Sequence, residues 1–215
     1  MSEPAAGSDS HPVRLIVNDD LRRSRLTVFF RGWLVIPHLI WYGLYGIPVF
    51  FVRLVAPWIG LFRGRLSDRM HGYLGRYVRY GNHIAVYRAY AANPYPPFNG
   101  REGGYVVDLA LPEAQPQNRF GMFFRFFLAI PAIIVVAFWA IWYIILWIAA
   151  FFYALFMGRM APGLERGLTN FLRYSVQVTA YTSLLTSRYP QVGGKPELNI
   201  ASADPAPPPA TAPGA

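Results

Sequence analysis

Two long apolar runs, residues 26–62 and 120–157, limit what this chain can fold into more than any other feature. Neither run contains an acidic residue, and each exceeds the roughly 20 residues that an α-helix needs to cross the hydrocarbon core of a bilayer. The chain is also 54% hydrophobic and 17% aromatic, which is more apolar than an ordinary soluble domain. The pattern therefore predicts a mainly α-helical integral membrane protein.

The net charge of +9 does not indicate a nucleic-acid-binding protein, because the arginines flank or interrupt the apolar runs instead of clustering on a soluble face. In such positions they lie where the anionic headgroups of lipids are found. We therefore expect membrane lipids as partners, including anionic ones, and no nucleic acid. The absence of cysteine excludes disulfides, zinc–thiolate sites and cysteine nucleophiles.

An internal duplication organises the chain. A shift of 94 residues aligns residues 25–96 with 119–190 without a gap, and 20 of the 72 aligned positions are identical. The identical pairs include Arg25/Arg119, Phe29/Phe123, Arg31/Arg125, Pro37/Pro131, Gly64/Gly158, Arg79/Arg173, Tyr80/Tyr174 and Tyr87/Tyr181. Apolar composition alone would not align arginines, tyrosines and prolines together, so we interpret the pattern as a tandem duplication.

Each copy has the same three parts. A short segment of period two comes first, "VRLIV" or "YVVDLAL", and two such strands could pair near the membrane surface. The apolar run follows, and a mixed segment of helical period ends the copy, as an amphipathic or transmembrane helix. The predicted domains are a disordered N-terminus (1–12), repeat 1 (13–98), a linker (99–104), repeat 2 (105–192) and a disordered Pro/Ala tail (193–215).

The first apolar run is too long for one straight span. As a single helix it would measure about 55 Å, against a hydrocarbon core of roughly 30 Å. Pro37 and Pro131 occupy equivalent places near the starts of the two runs, and proline removes a helical hydrogen bond and bends the helix. We therefore predict that each run begins in the membrane interface and is kinked, at Pro37 or Pro131, into a spanning helix.

The duplication also bears on the number of membrane crossings. Tandem copies face the same way only if each crosses an even number of times, which favours two crossings per repeat and four in total. The alternative is an apolar re-entrant hairpin plus a surface helix in each repeat. Either arrangement puts both termini and the linker on one side of the plasma membrane. Cytoplasmic loops carry an excess of arginine and lysine, and this positive-inside rule predicts that the side is the cytoplasm. That side would carry Arg14, Arg22, Arg23, Arg25, Arg101, Arg119, Arg188 and Lys195, against Arg63, Arg65, Arg69, Arg159 and Arg166 at the other end.

The motif R-x3-F-F-R-x2-L-x-I-P, followed by a long apolar helix, "FRGR" or "FMGR", and a helix ending in Tyr-Pro, resembles a bacterial, mostly actinobacterial, membrane family. The family is known as domain of unknown function 4389, and the resemblance covers about three quarters of the chain and both copies. It implies an integral membrane protein with the unit in tandem, and it implies no activity. Members tend to read Ile-Pro-His at the kink, which copy 1 keeps with His38 and copy 2 replaces with Ala132. The closing Tyr-Pro-Pro-Phe of copy 1 becomes Tyr-Pro-Gln-Val in copy 2.

The sequence offers little catalytic chemistry. His38 and His83 could be imagined as axial haem ligands or a metal pair, but their equivalents in copy 2 are Ala132 and Gln177. No Gly-x-Ser-x-Gly, P-loop or His-Glu-x-x-His pattern occurs. None of the acids lies inside an apolar run, where a proton-coupled transporter would need one. We therefore expect a protein that is not an enzyme and that has no metal and no cofactor.

Arginine is the remaining candidate for function. We predict a lipid-headgroup site built from Arg31 and Arg79 in one repeat and from Arg125 and Arg173 in the other, because the guanidinium fork suits phosphate. The alternative is that these arginines only anchor the helices at the interface. Arg53 lies deeper in its run, without an acid in its helix and with Trp147 as its equivalent, so it needs a tyrosine, a carbonyl or water as partner.

The sequence thus supports a non-enzymatic membrane scaffold or accessory subunit whose interfacial arginines hold anionic lipid. A partner membrane protein or a second copy of the chain would fit the same role. The competing function is a small-solute or lipid transporter or channel, in which the polar segments 73–90 and 167–186 line a path between the repeats.

Overall fold

Helices account for most of the chain in this computed structural model, which describes residues 11–17, 23–193 and 197–198. The helices are α1 (Arg25–Leu34), α2 (Ile36–Arg63), α3 (Asp68–Arg88), α4 (Arg119–Phe123), α5 (Arg125–Met157) and α6 (Pro162–Thr182). The strands are β1 (Arg14–Val17), β2 (Val107–Ala110) and β3 (Glu197–Leu198). The mainly α prediction is confirmed. The disorder predicted for residues 1–10 and for most of the tail falls outside the described residues.

The two copies end their long helices by the same local rule. α2 ends at Gly64, with φ of 70°, and α5 ends at Gly158, with φ of 67°. Both values lie in the left-handed region, which glycine enters without the steric cost that a Cβ imposes. The third helix of repeat 1 then begins at Ser67, whose hydroxyl accepts a hydrogen bond from the backbone N–H of Met70. The glycines of the "GR" motif therefore set the boundary between the apolar and the polar helix in each repeat.

The starts of the long helices differ between the copies. In repeat 1, α1 and α2 meet at Val35, two residues before Pro37, and the kink at Pro37 stays a prediction. In repeat 2 the interruption lies at Phe124, and Pro131 is inside α5. The interruption of the helix therefore lies seven residues before Pro131, and the kink at Pro131 stays a prediction. Proline costs a helix one backbone hydrogen bond, and a long apolar helix can continue past that loss.

The predicted strand segments do pair. β1 and β2 are antiparallel, with Leu15 opposite Leu109, and β3 adds to the other edge of β1 in parallel. β3 lies in the segment predicted as a tail, and its two residues pair with β1. Leu15 and Leu109 are buried, so the strands are held by packing as well as by their hydrogen bonds.

An approximate twofold axis relates the repeats. The backbone N–H of Arg23 donates to the carbonyl of Gly158, and the N–H of Gln117 donates to the carbonyl of Gly64. These two bonds are related by the 94-residue shift with the copies exchanged. Each long apolar helix therefore starts beside the end of the other, so the two run antiparallel and the axis is perpendicular to both. The same axis passes between Leu15 and Leu109, which are themselves equivalent positions.

Three layers are stacked along this axis. The sheet packs on α3 through β2 and on α6 through β1, and α3 and α6 pack on each other. α2 and α5 cover the opposite side of these two polar helices. The outer layer exposes large apolar side chains along its whole length, including Ile40, Phe50, Trp58, Phe126, Phe138, Ile145 and Phe156. One end of the molecule is thus a broad apolar surface, and the other is a small sheet with its loops.

Two helical stretches, Arg25–Arg63 and Arg125–Met157, are long and apolar enough to cross a membrane within the described residues. Only 11% of the apolar window of each is buried, whereas a core helix of a soluble protein would be mostly buried. The four predicted crossings are therefore not found, since α3 and α6 are polar and lie inside the protein. The predicted division of arginines is also corrected, because the antiparallel arrangement puts Arg25 beside Gly158 and Arg119 beside Gly64.

Candidate functional site

Arg31, the arginine of the first "FFR", is one of the most buried side chains of the protein, with 1% of its surface exposed. Its Nη1 donates to the carbonyl of Tyr87 (2.8 Å), in the last turn of α3, and to that of Ala92 (3.0 Å), just beyond the helix. The guanidinium lies over the rings of Tyr87 at 4.3 Å and Tyr90 at 5.1 Å. Carbonyls at a helix C-terminus lack intrahelical donors and carry partial negative charge. Arg31 therefore clamps α1 to the end of α3.

Arg125 does the same in repeat 2. Its Nη1 donates to the carbonyl of Thr186 at 2.6 Å, and its guanidinium lies 4.3 Å from the centre of the Tyr181 ring. Thr186 and Tyr181 are the equivalents of Ala92 and Tyr87. Arg125 has an additional contact, because its Nη2 donates to Gln117 Oε1 at 2.6 Å. The duplicated arginine is thus a duplicated structural clamp.

The chain adopts a strained conformation at each clamped helix end. Tyr90 has φ of 59° and its equivalent Leu184 has φ of 61°, and both residues carry a Cβ in the left-handed region. The N–H of Ala91 reaches the carbonyl of Val86, which closes the helix in the manner of a Schellman motif. A conformation that costs about 1–2 kcal/mol persists only where the surroundings fix it. The arginine contacts at these ends provide that constraint.

Arg79 and its neighbours form a polar cluster between α3 and the linker side of the sheet. Arg79 Nε donates to the carbonyl of Leu109 at 3.1 Å and lies 3.5 Å from Asp108 Oδ1, and its Nη2 lies 3.3 Å from Glu102 Oε2. His83 Nε2 is 3.0 Å from Asp108 Oδ1. In repeat 2 the equivalents Arg173 and Gln177 bind backbone carbonyls of Val192 and Val13. This row of side chains attaches a strand to the polar helix of each repeat.

Asp108 is ionised throughout the physiological range. Burial raises the pKa of its carboxyl, but hydrogen bonds from His83 and from the N–H groups of Leu109 and Gly103 outweigh that effect and lower the pKa below its ordinary 3.8. A lowered pKa means that the folded state gains stability from this group above pH 3.8, and that the gain is lost as the pH falls through the folded pKa.

We expect Asp108→Asn to lower the free energy of unfolding by about 1–2 kcal/mol at pH 7, because the amide keeps an acceptor but loses the charge that faces Arg79. The difference between the variant and the native chain should shrink below pH 3.8 and vanish when Asp108 is protonated in both states. Denaturant unfolding at a series of pH values from 7 to 3 measures it. A difference that stays constant over this range would contradict the assignment.

His38 lies in an aromatic cluster. Its Nδ1 is 2.8 Å from the hydroxyl of Tyr80, and its ring stacks on Phe98 with centroids 4.0 Å apart. Burial raises the pKa of Tyr80 to about 12, so that its hydroxyl stays protonated. In copy 2 the positions of His38 and Phe98 are held by Ala132 and Val192, so both stacking partners are replaced together. Within the described residues no group of three or more potential metal ligands occurs.

The four arginines of the predicted lipid site are all in the protein interior. Their exposures are 1% for Arg31, 7% for Arg79, 4% for Arg125 and 3% for Arg173. Each donates to backbone carbonyls, and the structure gives Arg31 and Arg79 different partners on different elements, because Arg79 binds Leu109 of repeat 2. Burial on this scale favours a structural role over the headgroup contact that the sequence predicted.

Two equivalent grooves lie beside the clamps. The Arg53 groove, of about 730 Å³, lies between the second half of α2, the start of α5 and the end of α6, and is lined by residues including Arg53, Leu54, Trp58, Phe123, Arg125 and Phe126. The Trp147 groove, of about 340 Å³, is its counterpart, and is lined by residues including Val28, Phe29, Arg31, Arg88, Trp147 and Phe151. The sequence did not predict either groove. The one signal was that arginine at position 53 in copy 1 corresponds to tryptophan at position 147 in copy 2.

The comparisons with known proteins agree with the duplication. The sequence profile of the family described as Domain of unknown function (DUF4389) matches residues 25–99 and, separately, residues 119–192. No curated protein and no solved structure matches the chain. The two matched segments begin at Arg25 and Arg119, the first residue of the R-x3-F-F-R motif in each copy. Both end after the loop that follows the polar helix. Because the two segments make up more than half of the residues, the chain belongs to the DUF4389 family, of which it contains two tandem copies.

Proposed function

We propose that this protein is a non-enzymatic scaffold that is embedded in one leaflet of the plasma membrane, with the twofold axis along the membrane normal. The single observation that carries the proposal is the apolar outer layer, because α2 and α5 expose large side chains along their whole length at one end of the axis. An apolar surface of this extent needs a bilayer or a partner to cover it. The sheet and its loops would then face the cytoplasm.

The layer order supports insertion in one leaflet over spanning. If α2 and α5 crossed the bilayer, the axis would lie in the membrane plane, and the sheet would sit at mid-depth. The linker that leads into β2 carries exposed Arg101 and Glu102, and a sheet of three strands has unpaired edges. Charged loops and open edges are not stable in hydrocarbon. With the axis along the normal, all of these groups are in water.

In the same orientation, the exposed arginines all lie at one depth in the membrane. Both ends of the apolar layer hold exposed arginines, namely Arg25 and Arg159 at one end and Arg63, Arg65 and Arg119 at the other. Long cationic side chains at such an edge reach the headgroups at little cost and are attracted by anionic lipids. The arginine excess supports the cytoplasmic leaflet as the one that the protein occupies.

A scaffold role also fits the polar side of the molecule. The imidazole–carboxylate contact of His83 and Asp108 is largely enclosed, with 0% of the His83 side chain and 12% of the Asp108 side chain exposed. So little exposed surface supports a role in attaching β2 to α3 over proton transfer to a substrate. We therefore propose that the cytoplasmic sheet and loops recruit a partner, which could be another protein or a second copy of this chain.

Cysteine labelling tests the orientation, because the native chain has no cysteine. Ser24 precedes α1 and Ser67 follows α2, so the two positions mark the two ends of the same apolar stretch. We expect Ser24→Cys and Ser67→Cys to be protected from a membrane-impermeant maleimide in intact cells and both labelled after permeabilisation. Labelling of one position from outside and the other from inside would show that the stretch spans the bilayer and would overturn the proposal.

A third position controls for insertion. Ile145 is 53% exposed in the middle of α5, on the apolar layer. We expect Ile145→Cys to react slowly with the water-soluble reagent in membranes, even after permeabilisation, and to react quickly once the protein is dissolved in denaturant. Rapid labelling in membranes would mean that this surface is not covered by lipid.

Transport between the repeats is the second candidate, and one cavity favours it. A cavity of about 130 Å³ lies on the axis between α3 and α6, lined by residues including Asn82, Ser175 and Thr179. The Nδ2 group of Asn82 is buried without a hydrogen-bond partner among the described residues. Transport predicts glycerol or urea flux into proteoliposomes above that of empty liposomes, lost in Asn82→Leu. The scaffold proposal predicts no such flux.

A further inference from the structure

We infer that the Arg53 groove binds an anionic phospholipid, with the phosphate on Arg53 and an acyl chain along the apolar wall of the groove. The inference rests on the proposed membrane insertion and names a ligand that the insertion alone does not require. The volume of about 730 Å³ falls in the range of about 300–1,000 Å³ that is typical of small-molecule sites.

Arg53 is incompletely paired. Its Nη2 donates to the hydroxyl of Ser183 at 2.6 Å, and its guanidinium lies 5.5 Å from the centre of the Tyr77 ring. Its Nε is buried and has no hydrogen-bond acceptor among the described residues. An unpaired donor on a cation in an apolar wall is costly, and a phosphate oxygen would satisfy it.

The groove contains positive charge and no negative charge. Arg125 is on the opposite wall, with its hydrogen bonds made to neutral acceptors, and the lining residues include no aspartate or glutamate. Neither Arg53 nor Arg125 makes an ion pair within residues 11–17 and 23–193. Two cations without a carboxylate in a partly dehydrated groove attract an anion more strongly than either would in water.

The other copy shows that the fold does not need this cation. At the position equivalent to Arg53 the Trp147 groove has an indole, whose N–H donates to the carbonyl of Arg88 at 2.8 Å. The position equivalent to Ser183, the partner of Arg53, is Ala89. One groove combines arginine with serine, and the other combines tryptophan with alanine at the equivalent positions. The two pairs occupy the same space in the two repeats. Arg53 is therefore an addition to the duplicated frame and not part of it.

A lipid fits the groove better than a small anion because of the remaining lining. Leu54, Trp58, Phe123 and Phe126 continue from the arginines toward the exposed apolar layer. Under the proposed orientation, Arg53 faces α6 and the polar side, where a phosphate would lie, and the aromatic wall descends into the leaflet. A phosphate with an attached hydrocarbon chain matches both parts, whereas inorganic phosphate matches only the first.

Native mass spectrometry of the full chain in detergent, with phosphatidylglycerol or phosphatidylcholine of the same acyl chains added, tests the site. We expect phosphatidylglycerol to bind the native protein at least tenfold more tightly than phosphatidylcholine. Arg53→Gln and Arg53→Trp should lose about tenfold of the phosphatidylglycerol affinity, as expected for the loss of charge-assisted hydrogen bonds. Arg53→Gln removes the charge without filling the groove, and Arg53→Trp installs the residue that the other copy has at this position.

The matched control is Arg63→Gln, which removes an exposed charge from the same helix outside the groove and should keep the affinity. Phosphatidylglycerol binding to Arg53→Trp at the native level would overturn the inference, as would equal binding of phosphatidylcholine. Full displacement of the lipid by millimolar inorganic phosphate would assign the groove to a small anion instead. Cysteine labelling of Ser24→Cys and Ser67→Cys in the Arg53→Trp background reports the membrane orientation alone. It therefore distinguishes a failure of the lipid site from a failure of the proposed orientation.

Discussion

Arg31→Ala should lower the free energy of unfolding by about 3 kcal/mol. The substitution removes two hydrogen bonds from a cation and leaves the carbonyls of Tyr87 and Ala92 buried beside a cavity. It also removes the contacts of the guanidinium with the rings of Tyr87 and Tyr90. The release of a buried charge offsets part of this loss, which is why we expect 3 kcal/mol and not the sum of all terms.

Denaturant unfolding in mixed micelles, followed by tryptophan fluorescence, measures the difference. The matched control is Arg63→Ala, because Arg63 lies on the next helix but is exposed, and we expect it to change the stability by less than about 0.5 kcal/mol. Arg31→Met separates packing from charge, since methionine fills much of the volume without satisfying the carbonyls. If Arg31→Ala behaved like the Arg63 control, Arg31 would not be a clamp, and the headgroup role predicted from the sequence would regain support.

The sequence predicted the repeating frame well, because its signals are local. The 94-residue duplication, the helical apolar runs and the two period-two strands each depend on residues that are close together in the chain. The pairing of β1 with β2 agrees with such a pattern. The sequence did not predict the twofold axis that makes the two long helices antiparallel. A tandem duplication is equally consistent with a parallel and an antiparallel arrangement of the repeats.

The sequence did not predict the hydrogen-bond partners of the arginines, for a different reason. Arg31 and Arg125 bind backbone carbonyls, and every residue of the chain has a carbonyl, so the sequence does not mark which one accepts. Residue types suggested a lipid phosphate for the guanidinium, whereas the fold supplies a helix end. Arg53 differs from both in one respect that the sequence does show, which is its replacement by Trp147 in the other copy.

The linker next to the polar cluster depends on a glycine with no space around it. A Cβ placed on Gly100 would lie 1.9 Å from the carbonyl oxygen of Arg76 and 2.7 Å from its carbonyl carbon. Both atoms belong to the backbone of α3, which cannot move without breaking the helix. The carbonyl of Gly100 in turn accepts a hydrogen bond from Arg79 Nη1 at 3.3 Å. The linker therefore crosses α3 at a distance that only glycine permits.

Gly100→Ala should cost about 3 kcal/mol or more, since the linker must leave α3 and Arg79 then loses an acceptor. The matched control is Gly72→Ala on the exposed side of α3, where nothing lies within 4 Å of the new Cβ and where alanine favours the helix by up to about 1 kcal/mol. The same chemical change should thus destabilise at one position and stabilise at the other. Unfolding free energies measure this sign difference, and amide hydrogen exchange at Gly103 and Leu109, whose N–H groups bind Asp108, reports whether the linker is released. Equal stability of the two variants would show that the linker does not rest on α3, and slow exchange at both amides in Gly100→Ala would show that it stays docked.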